Sequence, residues 1–167
     1  SYDLLAKDIA VFPISESRQS KLSKKIQQII IDVLSDEFTE YNIISEDKID
    51  TFLSENAVVP GEAIGPVILE KAVLDLPCNT VIFGNVISME KIKKVLVKIL
   101  ISKKLYEYYN FTFDLPIQYT MESLNETIKD NLKEAFNNLP YKGFISNAEG
   151  NIVEIKAQKR DTIQVGR

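Results

Sequence analysis

Three groups of residues have types and spacing that chemistry could use. Glu46, Asp47 and Asp50 lie close together, with Asp36 and Glu37 a short way upstream. Paired carboxylates can hold a hard cation or share a proton. These acids, however, follow Ser45, a good helix N-cap, and a helix dipole favours acids in its first turn. Their spacing therefore predicts a helix start with a solvated face, not a metal or acid–base centre. Gly61-Glu-Ala-Ile-Gly65 sets two glycines ahead of a helix but brings no lysine and no second-position glycine. It reads as a chain reversal, not a phosphate cradle. Cys78 is the single cysteine, and the chain contains no histidine. A nucleophilic thiol thus lacks its usual base, and the commonest general base and metal ligand are missing. Placed after Pro77 at the head of an apolar run, Cys78 reads as buried and inert. No serine stands in a Gly-x-Ser-x-Gly elbow. These residues argue against an enzyme, and no cofactor or metal is expected.

A second pattern suits binding better. Tyr106, Tyr108, Tyr109, Phe111 and Phe113 fall in one extended segment, with Tyr119 just beyond. Alternate residues of a strand share a face. Tyr109, Phe111 and Phe113 make one series, and Tyr106 and Tyr108 another. One series serves a core. The other is a candidate adhesive surface, since aromatic residues are favoured in interface centres, unless a second helix layer covers it. Lys91, Lys93, Lys94, Lys98, Lys103 and Lys104 line the same region. They read as guards of an exposed edge, with contact to an acidic partner as the alternative. The candidate protein interface is Tyr106, Tyr108, Tyr109, Phe111, Lys103 and Lys104.

The elements that must position these residues follow from composition and periodicity. With 167 residues, 45% of them hydrophobic and 26% charged, the chain has the makings of one domain, or one domain plus an appendage. A net charge of -4 with interleaved signs gives no electrostatic footprint for nucleic acid and no polybasic patch for an anionic membrane. No apolar run reaches the roughly 18 residues of a membrane span, and no signal peptide is visible. The abrupt ends suit an excised piece of a longer protein.

Residues 9 to 14 read as an apolar strand. Leu22, Ile26, Ile29, Ile30, Val33 and Leu34 mark an amphipathic helix that Ser17 or Ser20 can cap. Residues 41 to 45 form a second short strand, and Ser45 caps a helix carrying Ile49, Phe52 and Leu53. Pro60-Gly61 breaks that helix, and another runs from about Glu62 or Pro66 to Asp75. Residues 79 to 114 form a meander of three antiparallel strands, in which Gly84 signals a bulge or a close backbone approach. Ser123 and Glu126 form a capping box ahead of a helix marked by Leu124, Ile128, Leu132, Ala135, Phe136 and Leu139. Residues 143 to 155 read as a β-hairpin, and 161 to 166 as a further short strand. The expected fold is α/β (α+β): a mixed sheet of about five strands with three to four packed helices, ending in an antiparallel meander and a C-terminal β-hairpin.

Three segments carry a family likeness. Ile9-Ala-Val-Phe-Pro-Ile14, Tyr41-Asn-Ile-Ile-Ser45 with Lys48-Ile-Asp-Thr-Phe-Leu53, and Asn79-Thr-Val-Ile-Phe-Gly-Asn-Val86 resemble the strand and helix patterns of a group of envelope proteins. That group comprises the TolB amino-terminal domain, the soluble part of the curli secretion lipoprotein CsgG and the middle domain of flagellar assembly protein T. The likeness covers roughly residues 8 to 139. Cys78-Asn79 departs from the group's Ala-Asp, and the segment from Pro60-Gly61 to Pro66 is an addition. The resemblance implies a TolB/CsgG-like domain over residues 1–140 and the start of a small β-rich module over 141–167. It also implies a non-catalytic assembly or scaffold role in the periplasm or at the outer membrane. Partners would be other envelope proteins, including self-association into a flagellar or secretion-associated ring, with no direct membrane span. The rival reading is a small-molecule-binding domain or an enzyme with an unrecognised site.

Overall fold

A strand covered on both faces must be apolar throughout, and residues 9 to 12 meet that demand: Ile9, Ala10, Val11 and Phe12 are all fully buried. In the computed structural model, which describes residues 2–3, 7–17, 21–101, 106–137, 142–149 and 152–156, this run lies mid-sheet. The elements are β1 (Tyr2–Asp3), β2 (Asp8–Val11), β3 (Ser15–Glu16), α1 (Leu22–Glu37), β4 (Asn42–Ile43), α2 (Glu46–Glu55), α3 (Pro66–Asp75), β5 (Thr80–Ser88), β6 (Ile92–Ile101), β7 (Tyr106–Pro116), α4 (Met121–Asn137), β8 (Lys142–Glu149) and β9 (Ile152–Lys156). The main sheet has the order β4-β2-β5-β6-β7, and β3 also pairs with β5. β2 is parallel to both β4 and β5, whereas β5, β6 and β7 form the expected antiparallel meander. The fold is therefore α/β, a mixed six-stranded sheet with four helices.

Alternation along the strands assigns the two faces. Ile9 and Val11 of β2, Ile82 of β5 and Val95, Val97 and Ile99 of β6 face α1 and α4, whose Ile26, Ile30, Leu124, Ile128, Leu132 and Phe136 complete that core. Ala10, Phe12 and Val81 face the other way, toward Phe52 and Leu53 of α2 and Leu69 and Ala72 of α3. Each of the larger side chains contributes about 1.5–3 kcal/mol by leaving water, so the two layers, not helix propensity, hold the helices in place. α2 and α3 contact β2 and β5.

Several local expectations change. β4 is only two residues long. The β4-side edge of β2 is therefore open at Val11, and Gln27 of α1 donates its amide to the Val11 carbonyl at 2.9 Å. α1 starts with Lys21 at its N-cap and no side-chain cap, so Ser17 does not fill that role; Ser20 lies outside the described residues. α4 begins before the proposed capping box. Thr120 Oγ1 accepts from the Ser123 N–H at 3.0 Å, and Thr120 is an equally good cap residue three positions earlier. Gly84 marks a close approach, since the β5–β6 register runs unbroken from Thr80↔Ile101 to Ser88↔Lys93. The meander's bulge sits instead between β6 and β7, at Ile99/Leu100. Because β6 is an interior strand, Lys93, Lys94 and Lys98 do not guard an edge. Lys93 reaches the Glu16 carboxylate at 3.2 Å, and Lys98 reaches Glu107 at 3.5 Å. β8 and β9 form the expected hairpin, and β1, which the sequence does not announce, joins it as a third strand. The strand expected at 161–166 lies outside the described residues.

Candidate functional site

The acids that could have held a metal are used for tethering. Lys24 of α1 donates to Asp50 at 2.6 Å and to Glu46 at 3.1 Å, tying α1 to the start of α2. Partial burial acts to lower the Lys24 pKa, but the hydrogen bonds to Asp50 and Glu46 outweigh it and hold the ammonium above its ordinary range. At the other end of α1, Glu37 meets Lys129 at 3.2 Å and Lys133 at 3.9 Å on α4. Among the described residues no cluster of three or more Cys, Asp or Glu is placed to hold a metal. Cys78 is buried, with its Sγ 3.7 Å from the Ala72 carbonyl. Burial pushes its thiol up to about 11 from an ordinary 9.0.

The aromatic segment is β7, at the end of the sheet. Phe111 is only 5% exposed and anchors the strand from inside. Tyr109 and Phe113 pack against the same core half-buried. Tyr108 leaves the expected second series, because the bulge opposite Ile99/Leu100 interrupts the alternation and Tyr108 packs on that core too. Rings follow one another along the strand, with centroids 6.5 Å apart for Tyr108–Tyr109 and 6.4 Å for both Tyr109–Phe111 and Phe111–Phe113. The Tyr109 hydroxyl donates to the Glu134 carboxylate of α4. Burial, then the Glu134 charge and that hydrogen bond, raise the Tyr109 pKa; burial and then Tyr109 raise that of Tyr108. Tyr106 begins β7, and Lys103 and Lys104 lie outside the described residues. Glu107, Asn110, Thr112 and Asp114 of β7 are exposed. β7 pairs only with β6, and no other described strand lies along its outer edge.

The sequence reading missed a pocket of about 620 Å³ at the opposite end of the sheet. It forms where the chain leaves β2, between the start of α1, the second half of α2 and the loop of residues 57–64. Its walls are mainly Pro13, Leu53, Val58, Val59, Pro60 and Ile64, and its polar groups come from Glu16, Ser23, Lys24, Asp50, Ser54 and Glu62. The loop is pinned in place. The Glu16 N–H donates to the Gly61 carbonyl at 3.0 Å, the Val59 N–H donates to Glu62 Oε2 at 3.0 Å, and the Val58 N–H donates to the Leu53 carbonyl at 2.9 Å. Gly61 has φ +85°, a conformation that favours glycine, and a Cβ there would crowd the Glu16 carbonyl at 3.0 Å. Ser23 Oγ donates to the Ile14 carbonyl on the pocket's floor side. The one signal in the sequence was the added Pro60-Gly61 segment, flanked by apolar Val58 and Val59 that belong to no helix.

No family model matches this sequence, and no curated protein matches it either. Solved structures do. Lipoprotein GNA1162 from Neisseria meningitidis is 13% identical, with 80% of this chain and 99% of that one covered, at a TM-score of 0.55. The LpoB C-terminal domain from Salmonella enterica is 6% identical, with 68% of this chain and 85% of that one covered, at a TM-score of 0.52. TolB from Acinetobacter baumannii is 14% identical over 81% of this chain and 29% of that one, at a TM-score of 0.48. The chain shares the α/β fold of GNA1162 and of the LpoB C-terminal domain.

Proposed function

We propose that this chain is a non-catalytic protein-binding domain of a cell-envelope assembly, and that a partner docks as an added strand on the outer edge of β7. The observation that carries this is the edge itself. β7 is 11 residues long and has no lysine; its bulge lies at Tyr108 and its single proline is its last residue, so the stretch from Tyr109 to Leu115 carries only Asp114 as a guard against strand addition. The inward aromatic ladder and the Tyr109–Glu134 hydrogen bond hold it as a firm template. Strand addition would take affinity from main-chain hydrogen bonds and specificity from alternate side chains.

The charged residues of β7 are Glu107, which Lys98 already meets at 3.5 Å, and Asp114, which favours an extended partner segment with a basic side chain opposite it. A second copy fits less well. Antiparallel pairing centred on Asn110 and Phe111 sets Glu107 against the other copy's Asp114, and parallel in-register pairing sets like against like. The other edge, β4, offers only two residues, so a ring closed edge to edge has little to pair. Envelope placement draws support from the fold shared with GNA1162, itself a lipoprotein. The absence of catalysis draws support from the structural duties of the candidate groups: Lys24 occupies Glu46 and Asp50, and Cys78 is buried. Residues 141–167 as the start of a β-rich module belong to the same proposal, with β1 contributing a strand from the other terminus.

Site-specific photo-crosslinking in the native cell tests it. A benzophenone side chain at Asn110 or Thr112 should give a discrete adduct with one protein, and the same group at exposed Glu70 or Lys71 of α3 should not. The adduct should disappear in the Glu107→Lys/Asp114→Lys double variant. No adduct at either β7 position, or equal adducts from α3, would overturn the docking site.

A further inference from the structure

The pocket beside β2 stands on observations separate from the β7 edge. β2 is the switch point of the parallel part of the sheet. The chain leaves it through α1, packed on one face, to reach β4, and then crosses through α2 and α3 on the other face to reach β5 on β2's far side. In open α/β sheets, a crevice outside the carboxyl ends of strands at such a point is where ligands bind. The pocket lies there, with Pro13 and Glu16 immediately following the end of β2. Its 620 Å³ falls in the range of small-molecule sites, and its apolar wall with a few polar groups matches their usual make-up. The 57–64 loop is already held by backbone hydrogen bonds, so closing on a ligand requires little ordering.

Charge decides what kind of ligand. Among the described residues of the lining Lys24 is the one base, and it is shared between Asp50 and Glu46, which leaves that trio net negative. Glu16 is balanced by Lys93, which lies outside the lining. Glu62 adds a further carboxylate, one oxygen of which is engaged by the Val59 N–H. The start of the α1 dipole offsets roughly half a charge of this excess. We infer that the pocket binds a small amphipathic molecule with an apolar body and a cationic end, the body against Leu53, Val58 and Ile64 and the cation at Glu62, facing the net-negative trio of Lys24, Asp50 and Glu46.

Three matched probes isolate the head group: 4-phenylbutylamine, 4-phenylbutanol and 4-phenylbutyrate, titrated into the 15N-labelled full chain. The amine should move the amide signals of Val58, Val59, Gly61 and Glu62 saturably and bind about tenfold more tightly than the carboxylate, with the alcohol between them. Ser54→Trp, at an exposed helix position on the pocket wall, should abolish the shifts while leaving the rest of the spectrum in place. Asp50→Asn/Glu62→Gln should cut the preference for the amine to under about twofold, because glutamine still accepts from the Val59 N–H. The inference is overturned if no probe gives saturable shifts at these amides, if Ser54→Trp leaves the shifts unchanged, or if the carboxylate binds best. None of these results bears on the β7 crosslinks.

Discussion

Replacing Gly84 with alanine should cost this domain about 3 kcal/mol. The Cβ would lie 1.9 Å from the Leu96 carbonyl oxygen, 3.0 Å from its carbon and 3.1 Å from the Val97 Cα, all backbone atoms of β6. Ordinary contact begins near 3.4 Å, so β5 and β6 must separate locally by about 1.5 Å. No flexible side chain can yield instead. Overpacking of this kind costs about 1–3 kcal/mol, and one or two weakened ladder hydrogen bonds add about 1 kcal/mol each. The stiffer unfolded chain returns about 0.4–1 kcal/mol. For a domain of this size, 3 kcal/mol corresponds to a fall in Tm of about 6–12 °C. The matched control is Gly65→Ala. Nothing lies within 4 Å of that Cβ, and the backbone is extended with ψ 172°. There, the poorer N-cap and the gain in chain stiffness nearly cancel, leaving stability within about 0.5 kcal/mol of the parent. Urea denaturation followed by circular dichroism compares the two. If Gly84→Ala proved no less stable than Gly65→Ala, the close approach of β5 to β6 would be wrong, and with it the register that places β7.

Two further outcomes follow from the core and from the buried thiol. Phe136→Ala should lose about 3–5 kcal/mol, because this ring is 1% exposed and packs 5.6 Å from Phe38 and 5.4 Å from Tyr41; a shift in denaturation midpoint worth under about 1 kcal/mol would show that α4 is not fastened to α1 as described. Cys78 should resist a disulfide-exchange reagent such as Ellman's in the native protein and react at once in urea. Its folded pKa of about 11 is raised above the ordinary 9.0, so its contribution is present in full below about pH 9 and is lost as pH rises toward 11, by about 2–3 kcal/mol. Stability measured across that window in the parent and in Cys78→Ala isolates this loss, and parallel pH profiles would refute it.

Local pattern was enough for the parts of this protein whose residues answer to near neighbours. The unbroken apolar run of residues 9 to 12 announces a strand covered on both faces. The stepping of Leu22 through Leu34 and of Leu124 through Phe136 announces two helices with one buried stripe each. Ser45 ahead of two acids announces a helix start, and its hydroxyl does accept from the Lys48 N–H at 3.4 Å. The lack of histidine and the placing of Cys78 after Pro77 were likewise visible in the chain alone.

Tertiary structure alone decided what depends on segments far apart in the chain. Tyr108 joins the core side of β7 because a bulge against β6 shifts the register, and side-chain alternation within β7 cannot report that. Lys93 is a partner of Glu16, 77 positions away, and not an edge guard, because β6 is flanked by β5 and β7. The pocket draws on residues 13–16, 23–24, 50–54 and 57–64, none of which forms a cavity alone. Periodicity records which side of an element is greasy, since that is set by the chain's own geometry. Which surfaces meet, and what space they leave between them, is set by the closure of distant segments, and no local spacing encodes it.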